Sequence, residues 1–344
     1  QETIAKRMEN EPFVIRQNID KEGTTSFDDE VYGRITVENN TLDEMILLKS
    51  DGYPTYNFAN VIDDHLMAIT DVVRGNEYLS STPKYNLIYE AFGWDKPRYI
   101  HCPPVMKDAT QKLSKRNGDA SFQDLYAKGY LPEAILNYIA LLGWSPEGEE
   151  EIFTLEELAQ KFDVKRINTS GAIFDIDKLR WLNGEYLRRM DDESYFNLVE
   201  PYIKETVKKD YDHHKIAACL KERVAVLGEI KEMIDFFDEV PNYELSLYGN
   251  KKMKTNQEIA LASLEATLPI LENCQWNHDA IYNALVDLAK AKEVKNGAIL
   301  YPLRVALSGK AFTPGGAVEI ALILEREETL KRIKDAINKL KMQA

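Results

Sequence analysis

Hydrophobic positions in the first part of the chain recur at short intervals and only later settle into a helical repeat. The segment VYGRITV (31–37) alternates larger with smaller or polar side chains at period two, ENNT supplies a turn and EMILLKS follows, a pattern that predicts a hairpin-like pair of strands. After the KSDGYP turn comes TYNFANVIDDHLMAITDVVRG, dense in aromatic, β-branched and acidic residues and ending in Arg74–Gly75. Thr82–Pro83 then announces a helix, with threonine as N-cap and proline at the first helical position, where its missing N–H costs nothing. That helix, PKYNLIYEAFGW, stops near Gly93, and RYIHC reads as a strand. Strand, helix and strand of these lengths suit the second half of a parallel α/β domain.

From Ser121 onward the periodicity is helical. Pro132 opens PEAILNYIALLGW, with Ile135, Ile139 and Leu142 on one face, and Thr154 with Glu157 forms a capping box ahead of LEELAQKF. DIDKLRWLNGEYLRRM places Leu179, Leu182, Tyr186 and Met190 on one stripe. After about residue 190 no segment reads as a strand, and helices are expected over 192–209, 213–238, 255–273, 278–295 and 313–341, the last opened by Thr313–Pro314. The predicted fold class is therefore multidomain, α/β followed by all-α.

Composition narrows the function classes. The 344 residues carry a net charge of -14, which argues against wholesale coating of a nucleic acid and leaves room for local basic patches. Cys102, Cys219 and Cys274 lie far apart without C-x-x-C spacing, so neither a disulfide framework nor a zinc knuckle follows from them, and a reducing cytoplasm is expected. No apolar run is long enough for a membrane span. The chain opens on Gln1 in QETIAKRMENEPF, which looks like the middle of a helix, and a fragment is the expectation.

Against the acidic background, Lys112, Ser114, Lys115 and Arg116 bunch within HCPPVMKDATQKLSKRNGDASF, directly after the RYIHC strand. When a nucleophile attacks a phosphate of ATP, negative charge builds on the departing pyrophosphate, and mobile ammonium groups stabilise that charge most at the transition state. Taken alone, such a cluster is more often a solvated loop.

Its surroundings change that weighing. KLSKR resembles the KMSKS-type signature of class I aminoacyl-tRNA synthetases, with leucine at the methionine position, a swap of similar volume. DGYPTYNFANVIDDHLMAITDVVRGNEYLSSTPKYNLIYEAFGW, GYLPEAILNYIALLGWSP, FDIDKLRWLNGEYL and YPLRVALSG resemble glutamyl-tRNA synthetase in the family's order, over most of the chain. The resemblance implies that Lys112 and Lys115 contact the ATP phosphates as catalytic groups, with Ser114 and Arg116 completing the motif and Tyr78 near the adenine. It implies a glutamate pocket lined by Tyr56, Asn60 and Arg74, a set that makes chemical sense for a dicarboxylate: a planar guanidinium for bidentate capture, a phenol and an amide to orient. Without the resemblance, Tyr56 reads as a half-buried strand aromatic and Arg74 as a surface partner of Asp71 or Glu77. Asp63, Asp64 and His65 resemble a metal-ligand cluster, but three consecutive residues do not all face one ion, and a role in the pocket wall is preferred.

The resemblance further implies ATP as co-substrate with Mg2+, no zinc site in this chain, and tRNA(Glu) and L-glutamate as partners of a cytoplasmic monomer. The expected layout is residues 1–48 as the remainder of an acceptor-binding insertion, 49–110 as the second half of a Rossmann-like catalytic domain, 111–190 as the KMSKS-type loop with a helical stem-contact region, and 191–344 as an all-helical anticodon-binding domain. There Arg223, and Lys251, Lys252 and Lys254 in GNKKMKTN, are the tRNA-binding candidates, set against a surface arginine beside Glu222 and a solvated turn. No H-x-G-H segment occurs among these residues, so the fragment is expected to lack the first half of the catalytic domain, to be inactive by itself, and to expose a sheet edge and apolar face within 49–110 that leave that stretch poorly ordered or mispaired. The alternatives are a glutaminyl enzyme, disfavoured by the helical C-terminal part, and a noncatalytic tRNA-binding relative.

Overall fold

The structure, a computed structural model, describes residues 12–113 and 121–342. It divides into two compact units: the described residues up to 113 with Leu136–Asp175, and Ser121–Ile135 with the chain from Ile176 onward. Among the described residues no helix is long and apolar enough to cross a membrane.

The first unit begins with β1 (Ile15–Arg16), β2 (Thr24–Asp29), β3 (Gly33–Glu38) and β4 (Ile46–Leu48). The expected pairing of 31–37 with the segment after ENNT is not the one formed. β3 instead pairs antiparallel with β2, Thr24 opposite Glu38 through Asp29 opposite Gly33, while β4 pairs with β1. The deciding turn is built by Asp29, whose Oδ1 accepts from the amides of Val31 (3.0 Å) and Tyr32 (2.9 Å), and by Gly33, whose φ of +72° suits a residue without Cβ. β2 hides its strand character because its inward positions are Thr25, Phe27 and Asp29, two of them polar.

Next come α1 (Tyr56–Leu66), β5 (Asp71–Gly75), α2 (Thr82–Phe92), β6 (Arg98–Cys102) and β7 (Val105–Met106). β5 and β6 are parallel with Arg74 opposite His101, and the sheet order is β3–β2–β6–β5. This is the strand, helix and strand predicted from sequence. Met45, Val61, Tyr85, Ile88 and Tyr89 form the core under the two helices. β5 is the edge strand, with Val73 62% exposed.

α3 (Phe122–Ala127), α4 (Pro132–Gly143) and α5 (Leu155–Lys161) follow, and then β8 (Ala172–Ile173), which lies parallel to β7. The capping box forms as predicted: Glu157 N donates to Thr154 Oγ1 (3.2 Å) and Thr154 N to Glu157 Oε2 (2.8 Å).

In the second unit, α6 (Ile176–Arg189) buries Leu179, Leu182 and Leu187 completely, with Tyr186 and Met190 packed half-buried against the core. Beyond it lie α7 (Asp192–Thr206), α8 (His213–Lys221), α9 (Ile230–Ile234), α10 (Gln257–Asn273), α11 (His278–Ala291), α12 (Gly297–Ser308) and α13 (Ala317–Lys341), with no strand among the described residues past 190.

Two expected helices are corrected. The span 213–238 is broken, because buried Val224 and Val226 and the amides of Leu227 and Gly228 turn toward another backbone: those amides donate to Gly129 O (3.1 Å) and Lys128 O (3.2 Å). A Cβ on Gly228 would sit 2.4 Å from Lys128 O, so only glycine permits this approach. The last helix starts at Ala317, after Gly315–Gly316, and not at Thr313–Pro314; Thr313 Oγ1 donates to Gly315 O instead (2.5 Å). That helix also breaks stride at Glu325, whose φ is +61°.

Candidate functional site

The site lies at the carboxyl ends of the parallel strands β5 and β6, the end at which open α/β sheets hold ligands. Arg74, on β5, is half-buried. Its Nε–H donates to His101 Nε2 (3.1 Å) and one Nη2–H to Thr82 Oγ1 (2.7 Å). The guanidinium stands over the rings of Tyr78 (4.9 Å), Tyr85 (5.0 Å) and Tyr99 (5.6 Å), an attractive arrangement for a cation. Neither Asp71 nor Glu77 is its partner: Asp71 pairs with Arg98, and among the described residues Arg74 makes no ion pair.

Around this cation the fold gathers the other predicted pocket residues. Tyr56 is the first residue of α1, not a strand aromatic, and is 63% exposed, its ring centroid 6.4 Å from that of Tyr78. One turn further along α1, the Oδ1 of Asn60 is buried without a hydrogen-bond partner, an acceptor that a ligand N–H would satisfy. A hydrogen bond to Tyr56 raises the Tyr78 hydroxyl pKa, burial pushes Tyr89 up to about 12, and burial raises Asp64 against the opposing pull of Arg74. The ring of His65 stacks on Trp94 at 3.8 Å.

Lys112 is exposed and lies on a short return strand: Met106 bridges Lys112, Lys107 N donates to Gln111 O (2.8 Å) and Leu113 N to Val105 O (2.9 Å). Asp108 closes that turn, accepting from Thr110 N (2.8 Å) and Gln111 N (2.9 Å), which holds its carboxyl below the usual range. Ser114, Lys115 and Arg116 lie outside the described residues.

The family model for the catalytic domain of class I tRNA synthetases (E and Q) matches residues 1–181, and an anticodon binding domain model matches 194–337. The chain is 62% identical over 331 residues to a glutamate–tRNA ligase of Clostridium tetani and 59% identical over 331 residues to that of Clostridium acetobutylicum, each comparison covering 96% of this chain and 68% of the relative. A crystal structure of a glutamate tRNA ligase from Elizabethkingia meningosepticum in complex with its amino acid superposes with a TM-score of 0.86 at 32% identity, over 99% of this chain and 71% of that one. The chain belongs to the glutamate–tRNA ligase family of class I synthetases. Its α/β plus helical layout is that of this family.

A cavity of about 650 Å³ is lined by Arg180 and, in the part that matches the family's anticodon binding domain, by Arg223, Arg304, Lys310, Phe312 and Glu319, among others. Arg180 pairs with Glu229 and Lys310 with Asp235, whereas Arg223 is exposed and without an ion pair among the described residues. Burial, with Arg223 nearby, lowers the Arg304 pKa, and its Nε is buried without a partner. Phe312 is 87% exposed beside them. Arg304 and Phe312 were not candidates from sequence, since only the tertiary fold sets them beside Arg223. Lys251, Lys252 and Lys254 are exposed in a turn closed by the Asn250–Thr255 bridge, apart from the residues that line this cavity.

Proposed function

We propose that this chain provides the amino-acid pocket, the lysine loop and the anticodon-binding surface of a glutamate–tRNA ligase. The observation that carries the reading is Arg74: a half-buried guanidinium with donors to spare, beside the orphaned acceptor of Asn60 and the exposed phenol of Tyr56. Among the described residues it makes no ion pair, and Asp64 acts on it only through space, so a dicarboxylate could pair with it directly. The α-carboxylate has to reach the α-phosphate of ATP, so Arg74 takes the side-chain carboxylate through two parallel N–H bonds while Asn60 Oδ1 accepts from the α-ammonium group and Tyr56 orients the chain between them. Lys112 and Lys115 neutralise the departing pyrophosphate, with Ser114, Arg116 and Tyr78 completing the nucleotide side. Magnesium enters with the nucleotide, held by its phosphates. The terminal ribose hydroxyl of tRNA(Glu) then attacks the carbonyl of the glutamyl-adenylate so formed, taking the glutamyl group and releasing AMP.

On the RNA side, Arg223, Arg304 and exposed Phe312 offer guanidinium and aromatic faces of the kind that hold splayed-out bases, and the 251–254 turn adds a phosphate contact.

ATP–pyrophosphate exchange in the full protein tests the pocket. Arg74→Ala should raise the glutamate KM by about 100-fold or more, the loss expected when a charge-assisted bidentate pair is removed, and leave the ATP KM within about twofold. An unchanged glutamate KM would refute the reading.

A further inference from the structure

Behind Arg74 sits a buried pair that the proposed pocket does not itself use, Asp29 and His101, both side chains completely shielded from solvent. We propose that Asp29 and His101 are positioning residues that fix the guanidinium of Arg74 in the orientation needed to receive the substrate carboxylate. The inference rests on the assignment of Arg74 to the amino-acid pocket.

Thr82 Oγ1 also lies 3.3 Å from His101 Nε2, and it is the Arg74 contact that selects the arrangement of protons. A guanidinium has five N–H donors, no acceptor, and does not deprotonate in a protein, so the 3.1 Å contact from Arg74 Nε requires His101 Nε2 to be the acceptor. The imidazole must then be neutral and carry its proton on Nδ1, which lies 2.6 Å from Asp29 Oδ2. Asp29 cannot turn away: Oδ2 also accepts from the His101 amide (3.1 Å), and Oδ1 is held by the amides of Val31 and Tyr32 in the β2–β3 turn. Thr82 fixes the other side of the fork. Its hydroxyl donates to Tyr78 O (2.8 Å) and so offers a lone pair to Arg74 Nη2. With Nε–H and one Nη2–H engaged, the remaining three donors have no protein acceptor among the described residues and are free for a ligand. A protonated imidazole, or one with its proton on Nε2, would set donor against donor and release the guanidinium. Burial lowers the His101 pKa and so favours the neutral form that this geometry demands.

The test is steady-state ATP–pyrophosphate exchange in the full protein. His101→Phe should raise the glutamate KM by about 10- to 100-fold, the usual effect of losing a residue that orients a ligand-binding group, with the ATP KM within about twofold. His101→Gln, whose amide oxygen can accept from Nε while its NH2 reaches Asp29, should recover most of that loss. In an Arg74→Ala background, His101→Phe should add nothing. If Arg74→Ala raises the glutamate KM and His101→Phe does not, the pocket stands and this proposal falls; if Arg74→Ala itself has no effect, the pocket assignment falls and takes the proposal with it. Equal losses for glutamate and ATP, or losses that add independently of Arg74, would mean a merely structural pair. Nitrogen NMR of the histidine-labelled wild-type protein removes any dependence on how the variants fold. It should show His101 neutral with the proton on Nδ1, and an imidazolium or an Nε2–H signal would overturn the proposal.

Discussion

Two arginines, one in each unit, show how the same side chain is made into a binding group or into a piece of framework. Arg332, on α13, is 4% exposed and directs its donors at Phe236 O (2.8 Å), Leu307 O (2.7 Å), Phe237 O (2.8 Å) and the Glu328 carboxylate (2.9 Å). It satisfies carbonyls where the chain leaves helical geometry after α9 and at the end of α12, and its charge is matched by Glu328. Arg74 is gripped as firmly, by His101, Thr82 and three aromatic faces, yet it makes no ion pair among the described residues. A guanidinium whose donors and charge are both satisfied is structural. One held in place with donors and charge left over is prepared for a ligand, because fixing its orientation in advance lowers the entropy that binding must overcome.

The largest expected effect breaks the comparison on the structural side. Arg332→Ala leaves buried carbonyls and Glu328 without a partner, and should destabilise the second unit by about 3–5 kcal/mol, read from its urea midpoint. Arg74→Ala should change the stability of the first unit by no more than about 1 kcal/mol while raising the glutamate KM by about 100-fold or more, since it removes a charge that makes no ion pair among the described residues. Equal stability losses for the two variants would erase the distinction.

Arg223 and Arg304 sharpen it next. They resemble Arg74 in making no ion pair among the described residues, but Arg223 is exposed and Arg304 has an unpartnered Nε, and both line a cavity of about 650 Å³. Replacing both with glutamine should weaken tRNA affinity by about tenfold and reduce the slope of log affinity against log salt by about one or two, with exchange kinetics in glutamate unaffected. An unchanged slope would remove both from the RNA surface.

The smallest effect concerns acid. Burial raises the Glu328 carboxyl, but the hydrogen bond and charge of Arg332, with the charges of Lys209 and Lys331, together outweigh it and the net shift is downward. A carboxyl with a depressed folded pKa contributes stability that is fully present above its unfolded value of about 4.3 and is lost as pH falls through the folded pKa. The wild-type second unit should therefore lose this contribution below about pH 4.3, and Arg332→Ala should flatten that part of the stability profile. A profile with the same acid limb in both proteins would show that the pair does not couple.

Much of this was legible without a fold. The stripe on α6, the capping box at Thr154, the strand, helix and strand around α2, and the absence of strands among the described residues after 190 all follow from short-range periodicity and cap chemistry, which act within a few residues. The pairing of Arg74 with His101 did not, because it depends on two parallel strands aligning 27 residues apart. Asp29 was further out of reach: β2 carries polar residues at inward positions, so period-two reasoning passes over it. Thr82 looked like a helix cap because its local context is that of a cap, yet its hydroxyl is taken by Tyr78 O and Arg74, and Ser81 stands at the cap position without a side-chain capping bond.

The sequence by itself determined which chemistry is present: the lysine loop after β6, the tyrosine and asparagine one turn apart on α1, an arginine ending β5, and a helical C-terminal part. Those are local properties, written in residue type and spacing. Only the tertiary structure decided which arginine keeps three donors for a substrate and which spends four of its five on the protein, because hydrogen-bond satisfaction depends on backbone and side chains brought in from distant parts of the chain, as Asp29 reaches His101 and Phe236 reaches Arg332.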